Sequence, residues 1–469
     1  MKKEYLLIIS FLTVISINAQ DFIEHPIDEI NGSFRNIRLH DFDNDGNIDI
    51  IGAISGSPQI SVWFGSGNGN FENPINIENE NGTPARDIEL LDVNNDGSMD
   101  IIAIPTVTIN DLNFERLVYY INNGDRTFEN LVEIEPNLGS STNNFFTVFD
   151  VDNNGFEDII IRRIFNQTTI VYYPNTGSGT FSSPVTLIDD QSREVFSKDF
   201  NNDEFVDIIL GGGIPQLFIN NENTTFTLSS DLNDYPSNQF ATLAGSGDLN
   251  NDQTEDIIFT NTNFVDTAGV LWYSNDGDAN FTIQENITHP DFVGATYTIT
   301  KVVDFNNDGN NDLVSGVLFN PNIPTSGIPI SINDGNSNFN PSNVTTTNDN
   351  INNSLEIFDF NNDTKMDFIV GTAEGNLVWF ENNIPLSVEE NSITAVRITP
   401  NPSEGIYTIT NTQNNQFYNT QIYNSLGQIV TTVKNSNTID LSTQPSGIYF
   451  AKIEDQISTK KTNRKLIKL

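Results

Sequence analysis

The sequence contains no cysteine, only three histidines, and 21 Lys and Arg among 469 residues. Without cysteine there is no disulfide, no thiol nucleophile and no thiolate metal site. With only His25, His40 and His289, a histidine zinc site or a Ser-His-Asp triad has almost no material. Against 63 Asp and Glu the basic residues leave a net charge of −42, which argues against nucleic-acid binding, because phosphate contacts need clustered Lys and Arg. The longest apolar run, Tyr5 to Ile17, is short for a membrane-spanning helix. What the chain has in plenty is carboxylate and amide oxygen, the ligand chemistry of calcium.

Lys2 and Lys3 before that run, and Ala19 after it, give it the charged, apolar and small-residue parts of a signal peptide, residues 1–19. The expectation is an exported chain with no transmembrane segment in its mature form. Charge is also unevenly placed. Residues 21–383 hold 56 acids and 11 Lys or Arg, a net of −45, whereas residues 384–469 hold six acids and eight Lys or Arg, a net of +2. Two parts of different character share the chain.

A nine-residue pattern, Asp-x-[Asp/Asn]-x-[Asp/Asn]-x-x-x-Asp, occurs seven times. Its first, third, fifth and ninth positions are Asp41, Asp43, Asp45 and Asp49 in loop one and Asp92, Asn94, Asp96 and Asp100 in loop two. They are Asp150, Asp152, Asn154 and Asp158 in loop three, and Asp199, Asn201, Asp203 and Asp207 in loop four. Loop five has Asp248, Asn250, Asp252 and Asp256; loop six has Asp304, Asn306, Asp308 and Asp312; loop seven has Asp359, Asn361, Asp363 and Asp367. The loops start 51, 58, 49, 49, 56 and 55 residues apart, and each ninth-position Asp precedes an apolar pair such as Ile50-Ile51 or Phe368-Ile369.

Further along each repeat comes an apolar run, an Asn/Gly turn and usually a Phe, as in residues 62–71, 171–181 and 271–281. Short β-rich runs between such turns predict antiparallel sheet. A period near fifty with several strands per unit predicts an all-β, seven-bladed β-propeller over residues 20–383. The seventh repeat stops after residues 377–383 without a last strand. Residues 21–30 resemble the missing piece, with Phe22 aligned to Phe71, so the N-terminal strand is expected to close the ring.

A single acidic string is often only a polar turn, since Asx side chains bond their own backbone. Seven copies in register, each with a ninth-position Asp, point instead to calcium. Positions one, three and five supply side-chain oxygens, position seven a backbone carbonyl, and position nine a closing carboxylate. Magnesium keeps several waters and suits such a cage less well. Position six calls for positive φ and therefore glycine. Gly46, Gly97, Gly155 and Gly309 meet that need, whereas Glu204, Gln253 and Thr364 leave loops four, five and seven to bind more weakly or to relax. Asn154 lowers the charge of loop three. Loop one, with Asp at all four positions, ranks above loop seven, which has Asn361 and Thr364.

The acidic loop followed by a short apolar strand resembles the FG-GAP, or VCBS-type, repeats of integrin α-subunit propellers and many secreted bacterial proteins. The resemblance covers about residues 21–383 and implies a seven-bladed propeller with calcium at several loops. It leaves function open, because such proteins include adhesins, carbohydrate-active proteins and uncharacterised surface proteins.

After a linker, residues 384–392, a new pattern occupies residues 393–469. Its landmarks are residues 398–409, 422–430 and 441–453, and the basic end with Lys460, Lys461, Arg464, Lys465 and Lys468. Period-two alternation predicts a small β-sandwich. Pro400-Asn401-Pro402 with Gly405, Leu426-Gly427 and Gly447-Ile448-Tyr449 resemble the type A C-terminal sorting domain of the type IX secretion system of Bacteroidetes. That resemblance implies the secretion machinery as partner, removal of the module, and release or attachment at the cell surface.

Two functions fit these features. One is a secreted or surface-displayed calcium-binding module for a glycan or protein ligand. The other is a polysaccharide lyase or hydrolase, although with 63 acids some carboxylate pair always meets the spacing a glycosidase needs. Trp63, Tyr119, Tyr120, Tyr172, Tyr173, Trp272, Tyr273 and Trp379 are candidates to stack on sugars, but their recurrence at one strand position favours packing. Arg162-Arg163, the only adjacent arginine pair, is the candidate for meeting an acidic sugar.

Overall fold

The computed structural model describes residues 22–384 and 396–469, apart from 57–59, 78–84, 110–111, 140–145, 165–167, 190–193, 213, 223, 230–231, 233–234, 236–240, 262–268, 285, 293–294, 319–327, 345–349, 412–417, 425–427 and 456–460. The expected signal peptide and all but the first residue of the expected linker lie outside the described residues. The chain is all-β, with one helical turn, Pro290–Phe292, among the described residues, and no helix there is long and apolar enough to cross a membrane. It divides into two compact units between Pro385 and Leu386.

In the first unit the strands follow the repeat. The second strand of every repeat begins at the ninth-position Asp: Asp49–Ile54, Asp100–Ile109, Asp158–Ile164, Asp207–Gly211, Asp256–Asn261, Asp312–Leu318 and Asp367–Thr372. Successive side chains alternate across a strand, so the apolar pair after that Asp faces two ways. Ile50 packs with Phe34, Ile369 and Trp379, while Ile51 packs with Ile101, Ala103 and Val118. A strand covered on both faces must be apolar throughout, and Asp49–Ile54 is buried at every residue.

Three further strands complete a four-stranded antiparallel array around each second strand. At loop three the order is Phe146–Phe149, Asp158–Ile164, Thr168–Tyr173, Val185–Ile188, and the same order recurs at loops four, five and six. At loop two an extra strand, Leu112–Glu115, pairs with the far end of Asp100–Ile109. The arrays at loops seven and one merge into one eight-stranded sheet through a parallel pair, Asn36 beside Asn353.

The loop-seven array takes its last strand from the N-terminal end. Phe22–Glu29 pairs antiparallel with Asn376–Asn382, placing Phe22 opposite Asn382. The same Asn–Phe pairing occurs at Asn122 and Phe128, Asn175 and Phe181, Asn220 and Phe226, Asn275 and Phe281, and Asn333 and Phe339. Phe22 thus stands where other repeats place their turn Phe. It is 2% exposed and lies edge-on to Phe305 and Phe368, at ring separations of 5.4 and 5.2 Å.

Apolar clusters fill the spaces between successive arrays. One joins loop-one strands to loop-two strands, the next loop two to loop three, and so on through loops six and seven. The last returns from the loop-seven array, through Ile369, Leu377 and Trp379, to Phe34, Ile37 and Trp63 of loop one. Each fully buried Leu, Ile, Val or Phe contributes about 1.5–3 kcal/mol. The same seam carries charge, since Arg38 pairs with Glu89 and Glu356, and Glu356 also accepts from Lys301 at 2.9 Å.

The second unit has two antiparallel sheets: Val396–Thr399, Ile406–Asn411 and Thr438–Asp440 in one, and Ile429–Ser436, Tyr418–Tyr423, Gly447–Asp455 and Lys461–Lys468 in the other. Tyr407, Ile409 and Ile439 of the first share one apolar cluster with Tyr418, Ile422, Ala451, Ile453 and Leu466 of the second. Asn401 fixes the Pro400-Asn401-Pro402 turn to the basic last strand. Its side chain donates to the Lys465 carbonyl at 2.7 Å and accepts from the Ile467 N–H at 2.8 Å. Leu426-Gly427 and Lys460 lie outside the described residues.

Candidate metal centres

Every acidic loop is wound on the same backbone bonds. In loop one the Asp45 N–H donates to Asp41 and Asp43 at 3.1 and 3.2 Å, the Gly46 N–H to Asp41 at 2.9 Å, and the Asn47 N–H to Asp45 at 2.8 Å. Loop seven repeats this with Asp363 N–H to Asp359 and Asn361, both 3.0 Å, and Thr364 N–H to Asp359 at 2.8 Å. The first- and third-position side chains thus turn onto the N–H groups of residues five and six and the fifth onto that of residue seven, and none of these residues is fully buried. Position two is a buried apolar anchor in all seven loops, from Phe42 to Phe360.

The winding needs two left-handed residues. Position six has φ of 85–90° at the four glycines and 72, 72 and 74° at Glu204, Gln253 and Thr364. The sequence left loops four, five and seven free to relax, and in geometry they do not, because the N–H of residue six still bonds the first-position Asp. These three loops carry the strain of a left-handed side chain instead. The other left-handed residue went unnoticed in the sequence although its signal was plain. Position four is Asn in every loop, at φ of 53–62°, and Asn tolerates that region better than most residues.

The ninth-position Asp is the pivot. Asp49, Asp100, Asp158, Asp207, Asp256, Asp312 and Asp367 have no exposed surface. One oxygen of Asp49 accepts from Phe42 N–H and the other from Gly65 N–H, each at 2.7 Å. At Asp158 the donors are Val151 N–H, 3.0 Å, and Asn175 N–H, 2.7 Å. The carboxylate ties its loop to the turn that follows the third strand. Burial pushes these carboxyls up, to about 7 at Asp49, Asp158, Asp256, Asp312 and Asp367 and to about 6 at Asp100 and Asp207. The two N–H donors pull the other way, and the other loop carboxylates push them further up.

The Asn on that turn is a second residue that loop patterns alone did not reveal. The side chains of Asn122, Asn275, Asn333 and Asn382 donate to the position-two carbonyl of the preceding loop, on Phe42, Phe200, Leu249 and Phe305, at 2.7–2.9 Å. Loops one, four, five and six are thus held from within by the ninth Asp and from the next array by this Asn.

In loops one and three the structure gathers three carboxylates from the four expected ligand residues. Oxygens of Asp41, Asp43 and Asp49 lie within 4.8 Å of one another, as do those of Asp150, Asp152 and Asp158. Two oxygens on one calcium are at most about twice 2.4 Å apart, so both triads fit that ion, and their all-oxygen chemistry suits it. Asp45 does not join the loop-one group. In loops two, four, five and six, where position three is Asn, its amide donates to the position-five Asp, as Asn94 to Asp96 at 2.9 Å and Asn250 to Asp252 at 2.8 Å.

The sugar-stacking aromatics are all buried, from 0% exposure at Tyr273 to 6% at Tyr119, so they pack the arrays. Of the arginine pair, Arg163 is engaged with Glu135 at 3.0 Å.

Comparison with known proteins agrees with the repeat. The FG-GAP-like repeat matches residues 41–103, 150–210, 248–315 and 304–370, more than half of the chain, and a secretion system C-terminal sorting domain matches residues 397–469. No curated protein sequence matches significantly. Among solved structures, BBS1N, from a crystal of BBS1N in complex with ARL6DN soaked with lead, is 10% identical over 78% of this chain and 99% of that one, with a TM-score of 0.49. The extracellular domain of BT4673 from B. thetaiotaomicron is 12% identical over 96% of this chain, at a TM-score of 0.45. PorZ, an essential surface component of the type-IX secretion system of Porphyromonas gingivalis, is 13% identical over 91% of this chain, at 0.33. The chain spans 58% and 50% of the lengths of these last two. With its acidic loops and matched tail, the chain belongs to the FG-GAP-like repeat proteins and carries a type IX sorting domain, which marks it as secreted or held at the outer cell surface.

Proposed function

We propose that residues 20–383 form a seven-bladed β-propeller whose loops bind calcium, and that the exported protein works as a binding module for a glycan or protein ligand. The ring reading is supported by the apolar clusters, which run from each array to the next and return to the first. The C-terminal unit, two sheets on one core, is read as a small β-sandwich that engages the type IX machinery.

The metal reading is carried by the loop-three triad, whose oxygens lie within the span of one calcium ion. In the remaining loops Asp92 and Asp100, Asp199 and Asp207, Asp248 and Asp256, Asp304 and Asp312, and Asp359 and Asp367 would hold the ion together with the third-position Asn. Bound calcium supplies positive charge to loops that otherwise crowd like charges. With the strand aromatics buried, a ligand meets the polar Asn, Asp and Thr turns rather than an aromatic platform. The test is a glycan array probed with the purified protein in calcium and again in chelator. Calcium-dependent retention of a glycan class is the expected result; equal retention in both would separate ligand binding from the metal.

A further inference from the structure

The turn between the third and fourth strands places one left-handed residue two positions before its Phe. That residue is Gly69, Arg126, Gly179, Thr224, Ala279 or Ser337, with φ of 71, 69, 81, 55, 58 and 59°. Five of the six are small. A long side chain at such a φ is costly and needs a local reason. The turn abuts the preceding array's acidic loop: a Cβ on Gly179 would lie 3.7 Å from that of Asn94, the third-position residue of loop two. Arg126 stands in the same relation to loop one, and its side chain reaches in.

Arg126 Nε donates to Asp43 at 2.5 Å, its Nη1 to both Glu72 oxygens at 3.1 Å, and its Nη2 lies 3.7 Å from Asp45. The guanidinium carbon sits 4.8 Å from the centre of the Phe64 ring, and the Asp43 side chain is only 6% exposed. Loop one is the only loop with Asp at positions one, three, five and nine. Among the described residues, the most acidic loop is the one that receives an arginine.

We propose that Arg126 is the built-in counter-ion of loop one, holding Asp43 and Asp45 so that this loop takes no calcium, while loop three, with the other carboxylate triad, does. This rests on the calcium reading of the loops and reverses the rank that carboxylate counting gives. A guanidinium already bonded to Asp43 satisfies charge and hydrogen bonding together, and a divalent ion must displace it from three carboxylates to enter.

The test counts calcium bound per chain by titration calorimetry on the mature protein. Arg126→Gly installs the residue used at two of the equivalent turns, and Arg126→Gln removes the charge while keeping most of the stem. Both should bind one calcium more than wild type, and adding Asp43→Asn to either should abolish the gain. In the wild-type background Asp43→Asn should leave the count unchanged, whereas Asp152→Asn should lower it by one. An unchanged count in both Arg126 variants, or a lower count in Asp43→Asn alone, overturns the proposal while leaving calcium at the other loops intact. No calcium bound by any variant defeats both this inference and the metal reading beneath it.

Discussion

The repeat unit and the C-terminal unit are both antiparallel β, yet they are ordered by different means. The repeat unit places a buried carboxylate at the start of every second strand and wraps acidic side chains around it, 22 acids by loop position, within a net charge of −45. The C-terminal unit, at net +2, has no such loop and closes on one apolar cluster. Apolar burial is indifferent to cations and nearly so to pH, whereas convergent carboxylates respond to both. Sensitivity to calcium and to protons should therefore belong to the first unit alone.

The largest expected effect is on location. Deleting residues 386–469 should leave a folded repeat unit in the periplasm, read by fractionation, because the sorting domain matches only that end. Wild-type amounts outside the cell would contradict the assignment. Next comes a pair of core truncations. Phe22→Ala and Leu466→Ala should each cost about 3–5 and 2–5 kcal/mol respectively in chemical denaturation. Only the Phe22 loss should change size between calcium and chelator, since its strand completes the array of loop seven.

Asp158→Ala leaves the Val151 and Asn175 N–H groups without their acceptor in a buried setting. That costs about 1–3 kcal/mol for each orphaned donor, even in chelator. Asp150→Ala, whose partners are exposed loop N–H groups, should cost less in chelator and show its main effect in calcium. Equal losses for both in chelator would deny the ninth position its separate structural role.

The smallest effect is the pH response. The ninth-position carboxyls are raised by burial to about 6 or 7 in the folded state. A carboxyl with a raised folded pKa binds its proton more readily folded than unfolded, so its stabilising protonation is present below the unfolded value near 4 and lost as pH rises through 6 to 7. In chelator, the melting temperature of the repeat unit should climb by a few degrees on acidification from pH 7.5 to 5, and that of the C-terminal unit should stay put. A repeat unit that loses stability over that interval would contradict the burial of these groups.

Most of this architecture was legible in the sequence, because it is a repeat. Seven aligned loops fixed where second strands begin, and the truncated seventh repeat pointed to Phe22 and its strand. Position six misled on geometry: the backbone bond to the first-position Asp holds Glu204, Gln253 and Thr364 in the same left-handed turn that glycine adopts. Arg126 was invisible because its importance comes from a contact 83 residues away. Counting ligands within a loop cannot show which cation the next array delivers.

The most direct test of the calcium account is a melting experiment on the intact mature protein that resolves both transitions, in calcium and in chelator. Binding to the folded state adds about 2.7 kcal/mol per site at a hundredfold excess over Kd. The expected result is a repeat-unit transition that drops well below its calcium value in chelator, beside a C-terminal transition that does not move. A repeat-unit transition indifferent to chelator would return the acidic loops to plain polar turns.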